Sequence, residues 1–264
     1  MITELTTFLI DLDGVIYRGE ELLPGAHEFV NWLNASRKKY LFLTNNSFAS
    51  EVQVLTKLAR LGITTDGSHV MGAGQAAVKN IAHRFPAGSV YVVGERPLFD
   101  MVEANGLQIA NHTEQKIDAV LVGLDRSFDY KTLTQAVLAV RGGATFIAIN
   151  RDPLLPIAGG VIPGCGAMVA AIEAASGISP EVIGKPQPGL LWEALRLLGS
   201  QAQETVMVGD GLDTDIQAGT AAGTRTLLVF SGKDRPEDLA RSTIKPDYVY
   251  QNLATMMAEI ASLR

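Results

Sequence analysis

The chain of 264 residues is 47% hydrophobic and 19% charged, which suits a globular protein with one large domain or two medium ones. Its net charge of -6, without a Lys/Arg cluster, argues against nucleic acid as a partner, and a single cysteine, Cys165, excludes an internal disulfide. The N-terminal residues lack the basic and apolar regions of a signal peptide and no apolar run reaches spanning length, so we expect a cytoplasmic protein without a membrane partner.

The first predicted strand ends in two acids. An apolar run, Phe8 to Ile10, has the length of a buried strand, and Asp11, Asp13 and Gly14 follow it. Because side chains alternate along a strand, the two carboxylates would share a face only if the strand continued through both, and Gly14 indicates that it does not. Ligands of open α/β sheets sit at the carboxyl ends of the strands, so we interpret these acids as part of a site. A surface turn with two solvated acids is the alternative.

A helix, a strand and a second helix follow, predicted at His27 to Lys39, Tyr40 to Asn45 and Glu51 to Leu61. The strand ends in a cluster of small hydrogen-bonding residues, Thr44, Asn45, Asn46 and Ser47. Such residues can cap the next helix, bind an anion at its N-terminus, or do both.

The stretch from His69 to Ala77 contains a G-x-G-x-x-A pattern that is typical of dinucleotide-binding sites. The pattern follows a very short third strand, whereas the dinucleotide fingerprint belongs with the first strand of its unit. We therefore favour tight packing at a domain junction as the role of these glycines.

A second alternation of strands and helices begins at about Ala76 and continues to Ser179. Its predicted strands are Val90 to Gly94, Asp118 to Leu124 and Thr145 to Asn150, and its predicted helices are Pro97 to Asn105, Tyr130 to Arg141 and Ala167 to Ser176. The glycine- and proline-rich stretch from Asp152 to Gly166 is predicted to be a structured loop, and we favour a lid over a plain connection.

The first architecture resumes with an extended segment, Val182 to Pro186, a helix, Leu190 to Leu198, and a buried strand, Glu204 to Val208, followed by the acidic stretch Gly209 to Asp215. A strand at Arg225 to Phe230, a helix at Arg235 to Ala240, a strand at Tyr248 to Tyr250 and a terminal helix complete the chain. The prediction is an α/β fold with a doubly wound, mostly parallel, Rossmann-like core sheet from residues 1–75 and 180–264, interrupted by an inserted α/β domain of residues 76–179.

The strand ends of the predicted core sheet carry Asp11, Asp13, Asp210 and Asp215. Carboxylates that converge at one sheet edge repel one another unless a cation neutralises them, and oxygen ligands alone favour Mg²⁺. Lys185 and the hydroxyl and amide groups near residue 44 suit an anion that bridges metal and ammonium, for which phosphate is the natural candidate. A carboxylate can attack phosphorus to form an aspartyl phosphate that water later hydrolyses.

Four ordered motifs resemble those of the haloacid dehalogenase (HAD) superfamily of phosphatases, in its p-nitrophenyl-phosphatase/NagD-like branch. They are Asp-Leu-Asp-Gly-Val at 11–15, Thr-Asn-Asn at 44–46, Gly-Lys-Pro at 184–186 and Gly-Asp at 209–210 with the acids up to 215. The inserted domain resembles the α/β cap of that branch, so the likeness spans essentially the whole chain. It implies a Mg²⁺-dependent phosphatase that hydrolyses small phosphomonoesters, such as sugar phosphates or nucleotides, through an aspartyl phosphate on Asp11.

The resemblance also implies roles for individual residues. Asp11 would be the nucleophile and a metal ligand, and Asp13 would bind the metal through its backbone carbonyl while its side chain protonates the leaving group and then activates water. The remaining roles are phosphoryl binding for Thr44, the Asn45 amide and Lys185, metal binding for Asp210, and orientation of waters or of Lys185 for Asp215.

The implied partner is a small phosphorylated metabolite, and caps in such enzymes can pair, which allows a homo-oligomer. Two other functions stay open. A phospho-accepting receiver module also combines acids, Thr and Lys on a doubly wound sheet, but it needs a much shorter chain and no cap. A dehalogenase would use the aspartate on carbon, without Asp13 as an acid and without Mg²⁺.

Overall fold

The computed structural model describes residues 1–45, 51–111, 116–157 and 159–262, and of residues 156 and 157 the backbone alone. Asn46 and Ser47 of the predicted polar cluster lie outside the described residues. The chain separates into two compact units. The described part of the first covers residues 1–44, 51–71 and 185–262, and that of the second covers residue 45 and residues 72–184 with the gaps just given.

Strands are numbered in chain order. They are β1 (Thr7–Asp11), β2 (Tyr17–Arg18), β3 (Glu21–Leu22), β4 (Lys39–Thr44), β5 (Val70–Gly72), β6 (Ser89–Val93), β7 (Gln108–Ile109), β8 (Ala119–Val122), β9 (Thr145–Ala148), β10 (Leu154–Ile157), β11 (Gly160–Pro163), β12 (Glu181–Val182), β13 (Thr205–Gly209), β14 (Arg225–Val229) and β15 (Tyr248–Tyr250).

The α-helices are α1 (Ala26–Ala35), α2 (Glu51–Arg60), α3 (Ala73–Arg84), α4 (Arg96–Ala104), α5 (Tyr130–Arg141), α6 (Cys165–Ser176), α7 (Gly189–Leu198), α8 (Gln217–Ala222), α9 (Pro236–Arg241) and α10 (Leu253–Ser262). A π-helical turn, Leu212–Ile216, precedes α8. Among the described residues, no helix is long and apolar enough to cross a membrane.

The first unit is organised around β1. Its described strands form a sheet in the order β15-β14-β13-β1-β4-β5, and β1 pairs in parallel with β13 and β4. Phe8, Leu9 and Ile10 are fully buried, as expected for a parallel sheet that is covered on both faces and therefore reads as a continuous apolar run. The predicted Rossmann-like α/β core is confirmed.

Helix α1 covers one face of this sheet through aromatic contacts. The ring of Phe8 meets those of Phe29 and Trp32 edge-on, at centroid distances of 5.8 and 5.5 Å, a favourable aromatic geometry. The sequence predicted that this helix continues to Lys39, and that boundary is wrong. The helix ends at Ala35 because Arg37 adopts a positive φ of 52° and the next strand begins at Lys39.

The second unit contains its own parallel sheet, with described strands in the order β12-β9-β8-β6-β7. Its core is formed by residues such as Val120, Val122, Phe146 and Ile172, which are buried between the sheet and helices α5 and α6. The short strand β7 was not predicted, because two residues are too few to carry a periodic pattern. Strand β12 overlaps the predicted extended segment, Val182 to Pro186, at Val182 alone, and it pairs with β9.

The predicted loop from Asp152 to Gly166 is in part a β-hairpin, which corrects the sequence prediction. Strands β10 and β11 pair antiparallel, with Leu154 opposite Pro163. The prolines in this segment indicated a loop, because proline is rare in strands. A two-stranded hairpin, however, leaves one edge of each strand without a hydrogen-bonding partner strand, so it accepts residues that lack an N–H.

The glycine pattern between His69 and Ala77 lies at β5 and the start of α3. Strand β5 is at the edge of the first sheet and not at its centre. Gly74 is buried within α3, where an added Cβ would lie 3.5 Å from Ile149 Cδ1. The position supports packing as the role of this glycine, in agreement with the interpretation from the sequence.

Candidate active site

Three of the predicted site acids meet in the first unit. Asp11 is the last residue of β1 and Asp210 directly follows β13, the neighbouring strand, with Ile10 level with Val208. The carboxylates of Asp11, Asp210 and Asp215 each offer an oxygen within 4.8 Å of the other two. The strand register therefore joins acids that are about two hundred residues apart in sequence.

Lys185 lies between two of these acids. Its Nζ donates to Asp11 Oδ1 at 2.5 Å and to Asp215 Oδ1 at 2.6 Å, and only 4% of its side chain is exposed. Burial alone would lower the pKa of this lysine, but the two carboxylates outweigh burial and raise it. Lys185 is thus a permanent cation inside the acidic cluster.

Asp215 is held by the backbone of its own turn. The turn is π-helical, with Ile216 N donating to Gly211 O at 3.1 Å, and such turns often occur at functional sites. Asp215 Oδ2 accepts from Gly211 N at 3.1 Å and from Asp210 N at 3.3 Å. Its other oxygen remains directed at Lys185, so Asp215 fixes the position of that ammonium group.

The pKa values of Asp11 and Asp210 are both raised above the usual aspartate value. For Asp11 the largest cause is burial, which the charge of Lys185 opposes and that of Asp215 reinforces. For Asp210 burial is again the largest cause, followed by the charge of Asp215. A cluster in which carboxylates favour protonation in this way is one that a cation would stabilise.

Asp13 and Gly14 lie beyond the strand, as the sequence predicted. Gly14 has a φ of 81° and its N–H donates to Tyr17 O at 2.8 Å, which turns the chain into β2. Asp13 is exposed, yet desolvation by neighbouring groups raises its pKa, with Lys57 and Lys185 acting in the opposite direction. Lys57 Nζ lies 3.6 Å from the centroid of the Tyr17 ring.

Thr44 is the last residue of β4, which pairs with β1, and Asn45 follows it in the chain. Leu43 is the partner of Asp11 in the β1–β4 pairing, so the buried Thr44 lies one residue beyond it at the same sheet edge. Asn45 belongs to the second unit, where its carbonyl oxygen accepts from Asn150 Nδ2 at 3.3 Å. The Asn150 Oδ1 atom accepts in turn from Asp152 N at 3.1 Å.

A further set of contacts was missed by the sequence analysis. The loop Ser231–Asp234 follows β14, another strand of the same sheet, and reaches the acidic cluster. Lys233 N donates to Asp210 Oδ2 at 2.6 Å, and Leu212 N donates to Asp234 Oδ2 at 2.6 Å. In the sequence, this loop could have been found only from its position after a predicted strand, because the carboxyl ends of parallel strands meet at one edge of the sheet.

The donor set fits a hard divalent cation. Asp11 and Asp210 offer carboxylate oxygens on adjacent strands, and oxygen ligands of this kind suit Mg²⁺ more than softer metals. Asp215 is less available because both of its oxygens already accept hydrogen bonds.

Comparison with known proteins identifies the family. A family model described as haloacid dehalogenase-like hydrolase matches residues 8–108, and a second, HAD-hydrolase-like, matches residues 182–256. An acid sugar phosphatase of Staphylococcus epidermidis is 38% identical over 253 residues, which cover 96% of this chain and 97% of that protein. The chain belongs to the haloacid dehalogenase-like hydrolase family. The predicted resemblance to the HAD superfamily is confirmed.

Solved structures place this HAD hydrolase in the predicted branch. A p-nitrophenyl phosphatase from Archaeoglobus fulgidus is 33% identical, with a TM-score of 0.87 over 97% of this chain and 99% of that one. NagD from E. coli K-12 is 32% identical, with a TM-score of 0.86 over 95% of this chain and 97% of that one.

This chain matches named phosphatases over nearly their whole length, so this HAD hydrolase is a phosphoric monoester hydrolase. The two other functions that the sequence left open lose support. A receiver module would match only part of the chain, and the relatives given above are named phosphatases and not dehalogenases.

Proposed function

We propose that this HAD phosphatase hydrolyses small sugar phosphates by nucleophilic attack of Asp11 on phosphorus. The observation that supports this role most is the environment of the Asp11 carboxylate. It ends β1, accepts a hydrogen bond of 2.5 Å from Lys185 and lies within 4.8 Å of an Asp210 oxygen. A carboxylate between an ammonium group and a second acid suits a nucleophile that gives up its negative charge when it bonds to phosphorus. The carboxylate recovers that charge when the phosphoaspartate is hydrolysed.

The divalent ion proposed for this site is Mg²⁺, held by the side chains of Asp11 and Asp210 and by the backbone carbonyl of Asp13. Metal dependence is general among HAD phosphatases, and the oxygen-only donor set supports Mg²⁺. When bound, the ion would neutralise charge on the oxygens of the transferring phosphoryl group.

Asp13 supplies the proton chemistry in this proposal. As Asp11 forms its bond to phosphorus, the bond from phosphorus to the leaving oxygen breaks and Asp13 gives that oxygen its proton. In the second step Asp13 accepts a proton from the water that attacks the phosphoaspartate, which releases phosphate and restores Asp11. The raised pKa of the Asp13 carboxyl supports a residue that must alternate between both states.

The remaining residues would hold the phosphoryl group. Lys185 is a permanent cation beside Asp11, and Thr44 brings a hydroxyl to the neighbouring strand end. Asn45 would contribute its backbone amide at the start of the segment that follows. Asp215 would act indirectly, because it positions Lys185.

The substrate class is proposed from the relatives, which are named acid sugar phosphatases at 37 to 38% identity. We assign the second unit, predicted as residues 76–179, to the cap that selects the leaving group, with the β10–β11 hairpin as a candidate specificity element. The cytoplasmic location and the pairing of two copies through the cap stay predictions from the sequence.

The test is a survey of released inorganic phosphate. The purified protein would be given p-nitrophenyl phosphate, sugar phosphates and nucleoside monophosphates, each with Mg²⁺ and with EDTA. The proposal expects the highest kcat/KM on a sugar phosphate, loss of turnover in EDTA and loss of turnover in Asp11→Asn. Equal kcat/KM across all three classes would contradict the substrate proposal, and full turnover by Asp11→Asn would contradict the mechanism.

A further inference from the structure

Two glycines, Gly14 and Gly232, lie against the side chain of Asp210. A Cβ added to Gly232 would overlap Asp210 Oδ2, and a Cβ added to Gly14 would overlap the same atom. The Asp210 carboxylate therefore occupies a space that exists because both neighbours are glycine. Gly14 has a positive φ of 81°, which by itself favours glycine. Gly232 does not have a left-handed backbone, so the lack of space for a side chain is what explains a glycine at position 232.

The loop that contains Gly232 is Ser231–Asp234, and each of its residues contributes to the site in a different way. Ser231 Oγ donates to Gly14 O at 2.7 Å, and the guanidinium of Arg18 donates to the Ser231 carbonyl oxygen. The first residue of the loop is thereby tied to the chain that follows Asp13.

The second half of the loop fixes the acids. Lys233 N donates to Asp210 Oδ2 at 2.6 Å, and Asp234 N donates to Asp210 O at 3.1 Å. Asp234 Oδ2 accepts from Leu212 N at 2.6 Å. Leu212 is the first residue of the π-helical turn that carries Asp215, so one loop is bonded both to Asp210 and to the start of that turn.

We infer that the Ser231–Asp234 loop is a positioning element for the metal ligand Asp210. Hydrogen bonds to a ligating carboxylate fix its orientation and are commonly needed for full metal affinity. One Asp210 oxygen accepts from Lys233 N–H, and the other would be available to a cation. This inference rests on the proposed role of Asp210 in metal binding.

The test measures metal binding without turnover, using Mn²⁺ as the probe and electron paramagnetic resonance to count the free ion. We expect Gly232→Ala to weaken Mn²⁺ binding about tenfold or more, because the methyl group displaces the Asp210 carboxylate. Gly74→Ala is the matched control, since Gly74 lies in α3 and its added Cβ would make an ordinary contact of 3.5 Å with Ile149 Cδ1. Its Mn²⁺ affinity should equal that of the wild type.

A double-mutant cycle separates positioning from a general structural effect. In the Asp210→Asn background, Gly232→Ala should have little further effect on Mn²⁺ binding, because the ligand that it displaces is already lost. Full additivity of the two changes would overturn the inference.

Mn²⁺ binding by these variants distinguishes failure of this inference from failure of the proposed metal site. If Asp210→Asn weakens Mn²⁺ binding and folded Gly232→Ala does not, the loop has no positioning role while the metal site stands. If Asp210→Asn itself binds Mn²⁺ like the wild type, the metal assignment and the inference are both overturned.

A second pair of variants keeps the test valid if Gly232→Ala does not fold. Asp234→Ala removes the acceptor for Leu212 N, and Asp213→Ala removes an exposed acid from the neighbouring turn. Both lose one negative charge. Weaker Mn²⁺ binding in Asp234→Ala than in Asp213→Ala supports the inference, and equal binding overturns it.

Discussion

Lys185 Nζ lies 2.5 Å from Asp11 Oδ1 in a position where only 4% of the lysine side chain and 13% of the aspartate side chain are exposed. The same ammonium also bonds Asp215. A buried ion pair contributes little net stability on average, but loss of one partner leaves an uncompensated charge. The lysine therefore balances the acids of the site before any substrate arrives.

Replacement of Lys185 by Met should destabilise the protein strongly. Asp11 and Asp215 would lose their buried cationic partner, so we expect the free energy of unfolding to fall by about 3–5 kcal/mol. Urea denaturation of the metal-free protein measures this, with Lys245→Met as an exposed control. A midpoint equal to that of the control would mean that the pair is not needed for stability.

Asp215→Asn should separate catalysis from metal binding. The amide keeps the size of the side chain but removes the charge that holds Lys185, so we expect kcat to fall about tenfold to hundredfold, with Mn²⁺ affinity nearly unchanged. For Asp210→Asn we expect the opposite pattern, in which the main loss is in Mn²⁺ affinity. If both variants lose Mn²⁺ affinity equally, Asp215 is a metal ligand and its assigned role is wrong.

The stabilising effect of Mg²⁺ should increase with pH. Burial raises the pKa of both Asp11 and Asp210, so the metal-free folded protein keeps protons that the unfolded chain loses near pH 4. Their contribution to the free energy of unfolding therefore decreases as the pH rises above that value.

Mg²⁺ must displace these protons and binds better once they are gone. Melting temperatures in EDTA and in Mg²⁺, compared from about pH 5 to pH 8, measure the effect. Asp11→Asn should show a smaller dependence on pH. A Mg²⁺ effect that shrinks as the pH rises would contradict this account.

Lys57 should influence Asp13 through charge. Its ammonium group lies over the Tyr17 ring and lowers the pKa of Asp13. In Lys57→Met that pKa should rise, which shifts the corresponding limb of the kcat–pH profile to higher pH. Lys57→Arg keeps the charge and should keep the profile. Identical profiles for all three proteins would exclude this role.

The sequence predicted the site acids because their signal is local and chemical. Asp11 and Asp210 each follow a buried apolar run, and the carboxyl ends of parallel strands meet at one edge. The Ser231–Asp234 loop gave no such signal, since it acts through a backbone N–H and through the missing side chain of Gly232. Contacts of this kind become visible only when the strands are placed side by side.

Local patterns also failed where tertiary pairing decides the structure. The β10–β11 hairpin contains two prolines and a glycine turn, so composition indicated a loop. The π-helical turn that aims Asp215 at Lys185 has no periodic signature either, because it is a single turn formed by contacts with the backbone of Gly211.

The most direct test of the mechanism is to locate the phosphoryl group on the enzyme. Asp13→Asn should still transfer phosphate to Asp11 from p-nitrophenyl phosphate, because p-nitrophenolate can leave without a proton from residue 13. The variant should hydrolyse the phosphoaspartate slowly, so the phosphoenzyme should accumulate after mixing. Acid quenching, borohydride reduction of the acyl phosphate and mass spectrometry of the peptides would then identify the modified residue. The account predicts reduction at position 11 alone, and its absence from Asp11→Asn. An acyl phosphate on any other residue would contradict it.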